Sequence, residues 1–347
     1  MPLINRILDL DTPPLIVAEL SGNHGQNIET AKQIIAAAAE AGADAIKLQT
    51  YTPDSITLDS DREEFVVQGG LWHGRRLYEL YGEACTPYHW HTPLAEYARS
   101  LGIEIFSTPF DESAVDFLED AIHPELYKIS SFELTHIPLL KRVAETGKPV
   151  VLSSGMATEA EIEEAVSTLR DNGCPETVLL KCVSAYPSEP KGFNLRSMKS
   201  IGQRFNCLTG LSDHTLTNEI AVASVALGAR LIEKHVTDSR AAGGIDAGFS
   251  LEPHELENLV IQTRRAHAAL GSPSIGSSEQ DQKQTHFRRS IYACQNIATG
   301  DVFTKKNLRI VRPSLGLPPK HWEDILGASA TRDIPTGTPL SEEDLPH

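Results

Sequence analysis

Cys207-Leu-Thr-Gly-Leu-Ser-Asp-His-Thr215 and, beyond a helix-like stretch over 218–227, Ala229-Arg-Leu-Ile-Glu-Lys-His235 decide the fold. Each segment is an apolar, strand-like run that breaks into charge at its C-terminal end. Two strands joined by a helix run parallel, so their C-terminal ends lie side by side. His214 and His235 therefore belong on one rim of a sheet, with Asp213, Glu233 and Lys234 close by. Two imidazoles so placed suit a metal ion or a general base.

The same pattern repeats outward from this unit. Short runs rich in Val, Ile and Leu fall at 15–20, 44–48, 103–107, 126–130, 150–153 and 178–182, which makes eight with the two above. Their continuous apolar character fits strands buried on both faces. Helix-like runs separate most of them. The run at 28–41 stops at Gly42, and Thr158-Glu-Ala-Glu161 is a capping box that opens a helix to Leu169. Eight strand–helix units over residues 1–270 predict a (β/α)8 TIM barrel. A doubly wound sheet is the alternative, but the Gly-rich phosphate loop it usually brings is missing. Two segments break the repeat. Residues 52–100 form a long insertion, the kind that serves as a lid or an interface. Residues 271–287 are polar and read as a linker. Residues 288–347 follow as a small β-rich tail, with strands at 290–293 and 308–311. Alone it has a marginal core.

Composition narrows the function classes. The chain of 347 residues carries a net charge of −16, which argues against nucleic acid and anionic membrane as partners. No apolar run is long enough to span a bilayer, and the N-terminus lacks the features of a signal peptide. Five scattered cysteines without a C-x-x-C fit reduced thiols in the cytoplasm.

In a barrel of this kind the active site lies at the C-terminal ends of the strands. Those ends hold Glu19, Lys47, Gln49, Ser107, Thr108, Lys128, Ser131, Glu133, Ser153, Ser154, Lys181, Ser184, Tyr186, Ser212, His214, Glu233 and His235. Lysines and hydroxyls converging on one rim suit a phosphate and a carboxylate. Glu19 and Glu133 suit hydroxyl groups or proton transfer. The histidines suit Mn²⁺, Zn²⁺, Co²⁺ or Fe²⁺ better than Ca²⁺, which prefers oxygen ligands. Plainer readings compete. A single strand-end lysine is usually a solvated charge, and a serine before a helix is usually an N-cap. His89, His91, His123, His254 and His286 have no polar constellation in the sequence and read as surface groups. Cys182, with no evident activating partner, reads as core. The residues alone lead to a metal-assisted enzyme for a phosphorylated or acidic small molecule.

The strand ends also resemble the sialic acid synthase family. The matching segments are Ala18-Glu-Leu-Ser-Gly-Asn-His24, Gly42-Ala-Asp-Ala-Ile-Lys-Leu-Gln-Thr50, Ser107-Thr-Pro-Phe-Asp111, Tyr127-Lys-Ile-Ser-Ser131, Ser153-Ser-Gly-Met156, Gly210-Leu-Ser-Asp-His-Thr215, Glu233-Lys-His235 and Arg312-Pro-Ser-Leu-Gly316. The tail looks like that family's antifreeze-like (SAF) domain. The resemblance implies condensation of phosphoenolpyruvate with an acylated amino-sugar aldehyde to a nine-carbon 2-keto acid. Gly70-Leu-Trp-His-Gly74, Leu77-Tyr-Glu-Leu-Tyr81, Ser131-Phe-Glu-Leu134 and Lys181-Cys-Val-Ser-Ala-Tyr-Pro187 look like the branch acting on 2,4-diacetamido-2,4,6-trideoxy-altrose. Neuraminate or legionaminate synthesis is the alternative, and a non-catalytic sugar-binding protein is the alternative of another class.

Carried over by motif, His214 and His235 hold a divalent cation (Mn²⁺, Mg²⁺ or Co²⁺). Lys47, Thr108, Lys128, Ser131, Ser153 and Ser212 grip phosphoenolpyruvate. Glu19, Gln49, Tyr186, Asp246 and Arg312 contact the sugar, and Glu133, Glu19 and His235 are the catalytic groups. Arg312 is expected to reach the site of a second subunit in a domain-swapped homodimer. The family's usual Arg-Pro-Gly is here Arg312-Pro313-Ser314, which raises the question of how Ser314 fits that loop.

Overall fold

The computed structural model describes residues 1–346. Its chain divides into two compact units, Met1–Gly271 and Ser272–His347. In the first, α1 (Leu3–Leu8) precedes β1 (Leu15–Glu19), α2 (Ile28–Glu40) and β2 (Ala45–Thr50). Short helices α3 (Pro53–Ile56) and α4 (Leu77–Ala84) lead to α5 (His91–Ser100). There follow β3 (Glu104–Pro109), α6 (Glu112–Ala121), β4 (Tyr127–Ile129), α7 (Ile137–Ala144), β5 (Val150–Ser153) and α8 (Glu159–Asp171). The unit ends with β6 (Thr177–Cys182), α9 (Ser197–Phe205), β7 (Leu208–Ser212), α10 (Glu219–Ala226), β8 (Leu231–His235) and α11 (Pro253–Leu270).

The eight strands hydrogen-bond in the order β3-β2-β1-β8-β7-β6-β5-β4, every ladder parallel. The two ends of that order, β3 and β4, lie side by side and bring the sheet close to a (β/α)8 barrel. All eight strands lie where the sequence predicts, within one or two residues.

Alternation along the strands separates two cores. Leu15, Val17, Ala45, Phe106, Leu126, Val151, Val178, Leu180 and Leu231 fill the barrel interior, joined by Leu3 and Ile7 of α1. The residues between them, such as Ile16, Ala18, Ile46, Leu48 and Ile232, pack against the helices outside. Each fully buried Leu, Ile or Phe contributes about 1.5–3 kcal/mol. Caps set the helix starts. Asn27 accepts from Glu29 N at 2.9 Å, Asp111 accepts from Ala114 N at 2.8 Å, and the Thr158–Glu161 capping box forms.

Three expectations change. Helix α1, not foreseen, plugs the N-terminal end of the barrel. Buried Arg230 ties it down, donating to the carbonyls of Ile7 (2.9 Å), Thr12 (2.9 Å) and Arg6 (3.0 Å). The insertion read as 52–100 is shorter, because α5 packs beside α2 as the barrel's own second helix. Trp90, at its start, is buried in the outer core. The stretch read as a linker carries α12 (Glu279–Lys283), capped by Ser278.

In the second unit β9 (Ser290–Ala293) and β10 (Leu308–Val311) pair antiparallel, with Ile291 opposite Ile310, and α13 (Trp322–Ile325) follows. Ile291, Ile297, Phe303, Leu308, Ile325, Ile334 and Leu340 form its own core. Ser314 fits its loop without a left-handed backbone, and its hydroxyl donates to Thr285 O at 3.0 Å. Among the described residues no helix is long and apolar enough to cross a membrane.

Candidate active site

The alternation that fills the interior with apolar groups continues to the C-terminal rim, where the inward positions turn polar. Glu19, Lys47, Gln49, Thr108, Lys128, Ser153, Cys182, Ser212, Glu233 and His235 succeed the interior residues at two-residue steps along their strands. Ladder register levels Glu19 with both Lys47 and His235, Gln49 with Thr108, and Ser212 with both Cys182 and Glu233.

Four buried charges form the centre. Lys47 pairs with Glu19, and its Nζ lies 3.8 Å from Glu233 Oε2. Lys128 Nζ lies 3.7 Å from Glu233 Oε1. Neutral groups complete the network. Gln49 Nε2 donates to Glu19 at 2.9 Å, Ser212 Oγ to Glu233 at 3.1 Å, and Lys47 to Thr108 Oγ1 at 3.1 Å. Burial opposes charge on Lys47, but Glu19 and Glu233 outweigh it and hold the ammonium above its ordinary range. Burial likewise opposes ionisation of Glu233, and Lys128 and Lys47 prevail, keeping it below the carboxylate range. At Glu19 burial wins over Lys47 and raises the carboxyl. At Lys128 burial wins over Glu233 and lowers the ammonium.

Beside the lysines is a cradle. Gly155 N donates to Ser131 Oγ at 3.1 Å. A Cβ at Gly155 would stand 2.3 Å from Ser184 Oγ and 2.8 Å from Ser131 Oγ, so only glycine leaves this space open. The hydroxyls of Ser153 and Ser184 are buried without a hydrogen-bond partner among the described residues. Unpartnered hydroxyls, a close backbone N–H and two lysines form an anion site. Glu133 takes a hydrogen bond from Ser130, and burial holds it above the carboxylate range despite that bond and Lys128.

On the opposite side His214 and His235 face each other, ring centroids 5.3 Å apart, with Tyr186 4.4 Å from His214 and Phe249 4.8 Å from His235. His214 Nδ1 lies 2.9 Å from the Val183 carbonyl. A carbonyl only accepts, so Nδ1 carries a proton. Burial opposes charge on His214, but Cys182 together with that carbonyl outweighs it and raises the imidazole. His235 Nδ1 is buried without a hydrogen-bond partner among the described residues, 3.9 Å from Asp246 Oδ2. Burial, reinforced by His214 and Lys47, holds His235 neutral. Among the described residues no group of three or more His, Cys, Asp and Glu side chains is set for a metal. His235, neutral and with Nδ1 unpartnered among those residues, and His214 facing it nonetheless supply two imidazoles suited to a divalent cation completed by water and substrate. Asp246, raised by burial, also takes a hydrogen bond from Ser21.

The expected residues thus gather on one rim, apart from Arg312, which is exposed at the end of β10 in the second unit. Several neighbours do not behave as their sequence position implied. Lys234 and Asp213 fall on the outward phase and pair with each other at 2.9 Å, leaving the rim to Glu233. Lys181 also alternates outward, next to interior Leu180. His91 is not a surface group: it is fully buried, 2.8 Å from Thr50 Oγ1, and burial lowers it to about 4. Cys182 has a partner after all. Burial would raise its thiol, but the bond to His214 outweighs that and leaves it below the ordinary range. Glu233 and Ser184, quoted only as strand-end residues, are central, and Gly155 carried the one sequence hint of the cradle.

The chain matches the NeuB family model over residues 34–274 and the SAF domain model over 288–346. It is 43% identical over 335 residues to a pseudaminic acid synthase of Campylobacter jejuni, covering 96% of this chain and 97% of the relative. An N,N'-diacetyllegionaminic acid synthase of Campylobacter jejuni is 35% identical, covering 92% of this chain and 96% of the relative. The crystal structure of N-acetylneuraminic acid synthetase from Leptospira borgpetersenii superposes with a TM-score of 0.70 at 34% identity, over 79% of this chain and 90% of that one. A barrel of the same architecture and likeness along nearly the entire chain establish that this protein belongs to the NeuB family and ends in a SAF domain.

Proposed function

We propose that this chain is a pseudaminic acid synthase. It condenses phosphoenolpyruvate with 2,4-diacetamido-2,4,6-trideoxy-β-L-altropyranose, in its open-chain form, and water, giving pseudaminate and phosphate. The observation that carries the substrate is the gradient of likeness: 43% to a pseudaminic acid synthase against 35% to a legionaminic acid synthase, both over more than nine-tenths of the chain.

Lys47, Lys128 and the hydroxyls of Thr108, Ser131, Ser153 and Ser212 take the phosphate and carboxylate of phosphoenolpyruvate, with Gly155 N at the cradle. Four charges that already balance mean that the lysines arrive preorganised, so little reorganisation attends binding. Gln49, Tyr186 and Asp246 orient the sugar so that its aldehyde carbon meets C3 of phosphoenolpyruvate. A divalent cation held by His214 and His235 would act as Lewis acid on the sugar's carbonyl oxygen. The C3–aldehyde bond forms, and the proton shared by the Lys47–Glu19 pair, whose carboxyl burial raises, makes the aldehyde oxygen a hydroxyl. Water adds to the electron-poor C2, losing a proton to Glu133. The C2–O bond then breaks, phosphate leaves with its bridging oxygen and takes the C2 hydroxyl proton, and C2 becomes the ketone. The reaction draws on soluble substrates in the cytoplasm. Arg312 serves the site of a second copy in a homodimer. Mixing Arg312→Ala with His235→Ala subunits should restore activity, and no recovery would reject that role.

The test is phosphate release with three aldehydes: the altrose derivative above, the legionaminate-pathway sugar and N-acetylmannosamine. Release with the first alone is expected, and EDTA should abolish it. Release with another sugar instead would overturn the substrate, and release with none would overturn the activity.

A further inference from the structure

The excursion between β2 and α5 places one side chain at the catalytic rim. Val66 bridges Arg76 in antiparallel fashion, and left-handed Gly69, Gly70 and Gly74 (φ +80°, +73° and +81°) turn the chain between them. Such φ values favour glycine. The tip presents Leu71-Trp72. The Trp72 indole N–H donates to Ile245 O at 3.0 Å, across 173 residues of chain. Its ring lies 6.0 Å from Tyr186 and 6.3 Å from Phe249. Those two rings flank His214 and His235. Leu71 and Trp72 of the tip, with Gln26 and Gly248, line a cavity of about 690 Å³.

Ile245 precedes Asp246, whose N–H donates to Asn23 Oδ1 at 3.2 Å and whose carbonyl accepts from Ser250 Oγ at 2.7 Å. Trp72 is thus one anchor of the loop that carries both Asp246 and Phe249. Its single N–H is committed to that loop, so what it offers a ligand is an apolar face. Trp72, Phe249 and Tyr186 together make an aromatic wall beside the two histidines.

We propose that Trp72 is a specificity-determining and positioning residue of the sugar site: its ring receives the C6 methyl of a 6-deoxy sugar, and its N–H holds the Asp246 loop in place. The proposal rests on the synthase reading above. A hydroxyl added to that methyl would be buried against rings that leave it unpaired, which costs about 10- to 100-fold in affinity.

The test compares 2,4-diacetamido-2,4,6-trideoxy-altrose with the same sugar bearing a 6-hydroxyl. Wild type should prefer the deoxy sugar about 10- to 100-fold in kcat/KM, and Trp72→Ala should bring the ratio within about threefold. KM for phosphoenolpyruvate should stay unchanged. Trp72→Phe, which retains a ring but lacks the N–H, should keep the preference and lose several-fold in kcat. An unchanged ratio in Trp72→Ala, or an equal rise in both KM values, would overturn the proposal. Binding of the two sugars without phosphoenolpyruvate, measured calorimetrically, separates this from failure of the synthase reading. If wild type turns over neither sugar, the activity falls, and the proposal stands only if the deoxy preference in binding is present and lost in Trp72→Ala.

Discussion

Glu233→Gln is the sharpest test of the rim. The Glu233 side chain is 5% exposed, 3.7 Å from Lys128 and 3.8 Å from Lys47. Lys47 retains Glu19, but among the described residues Glu233 is the only carboxylate in ion-pair range of Lys128. Glutamine preserves shape and can still accept from Ser212, so the substitution isolates the charge. At an effective dielectric constant of about 20, attraction across 3.7 Å is about 4 kcal/mol for each lysine. The amide is spared several kcal/mol of desolvation that the carboxylate bears. The net loss should be about 3–5 kcal/mol, the usual result of removing one member of a buried pair. For a unit of this size that corresponds to a fall in Tm of about 6–10 °C. Thermal unfolding followed by circular dichroism measures it. Lys128→Met combined with Glu233→Gln should recover most of the loss, because no charge is then stranded. Inorganic phosphate should stabilise the single variant at least as much as wild type. A fall of less than about 2 °C, or purely additive losses in the double variant, would refute the view that the four charges act as one unit.

Gly155→Ala should raise KM for phosphoenolpyruvate at least about tenfold, since the methyl fills the anion cradle; steady-state kinetics with each substrate varied would check it, and KM for the sugar should hold. Glu133→Gln should lower kcat about 10²- to 10⁴-fold. Burial raises the Glu133 carboxyl, so wild-type kcat should fall as pH drops through that raised value, above the ordinary carboxylate range. The same shift has a signed effect on folding. The native state holds this proton more tightly than the unfolded chain, so the contribution favours folding in acid and is lost as pH rises through the folded value. The glutamine variant should therefore match or exceed wild-type stability at neutral pH in a denaturant titration. Arg230→Met should cost about 3 kcal/mol by stranding the carbonyls of Arg6, Ile7 and Thr12, lowering Tm while kcat/KM at 25 °C stays within about twofold.

Local pattern carried most of the fold. Continuous apolar runs, the Gly42 stop and the cap at Thr158 are short-range properties, so every barrel strand was legible, and so were the tail strands Ser290–Ala293 and Leu308–Val311. Knowing that a strand ends at the C-terminal rim also made Lys47, Lys128, His214 and His235 visible as a set. The phase of each strand was not legible at its end. Glu233 and Lys234 are adjacent and equally charged in magnitude, and only burial across the barrel decides that Glu233 turns inward while Lys234 pairs with Asp213 and the carbonyls of Thr215 and Thr217. Pairings distant in sequence stayed hidden for a different reason. Lys47 with Glu19 and Glu233, Cys182 with His214, and Trp72 with Ile245 depend on barrel closure and on turns whose path no local periodicity encodes. Local pattern places the strand ends at one rim, whereas burial across the whole barrel decides which of their side chains turn inward and meet, because it alone settles strand phase and loop path.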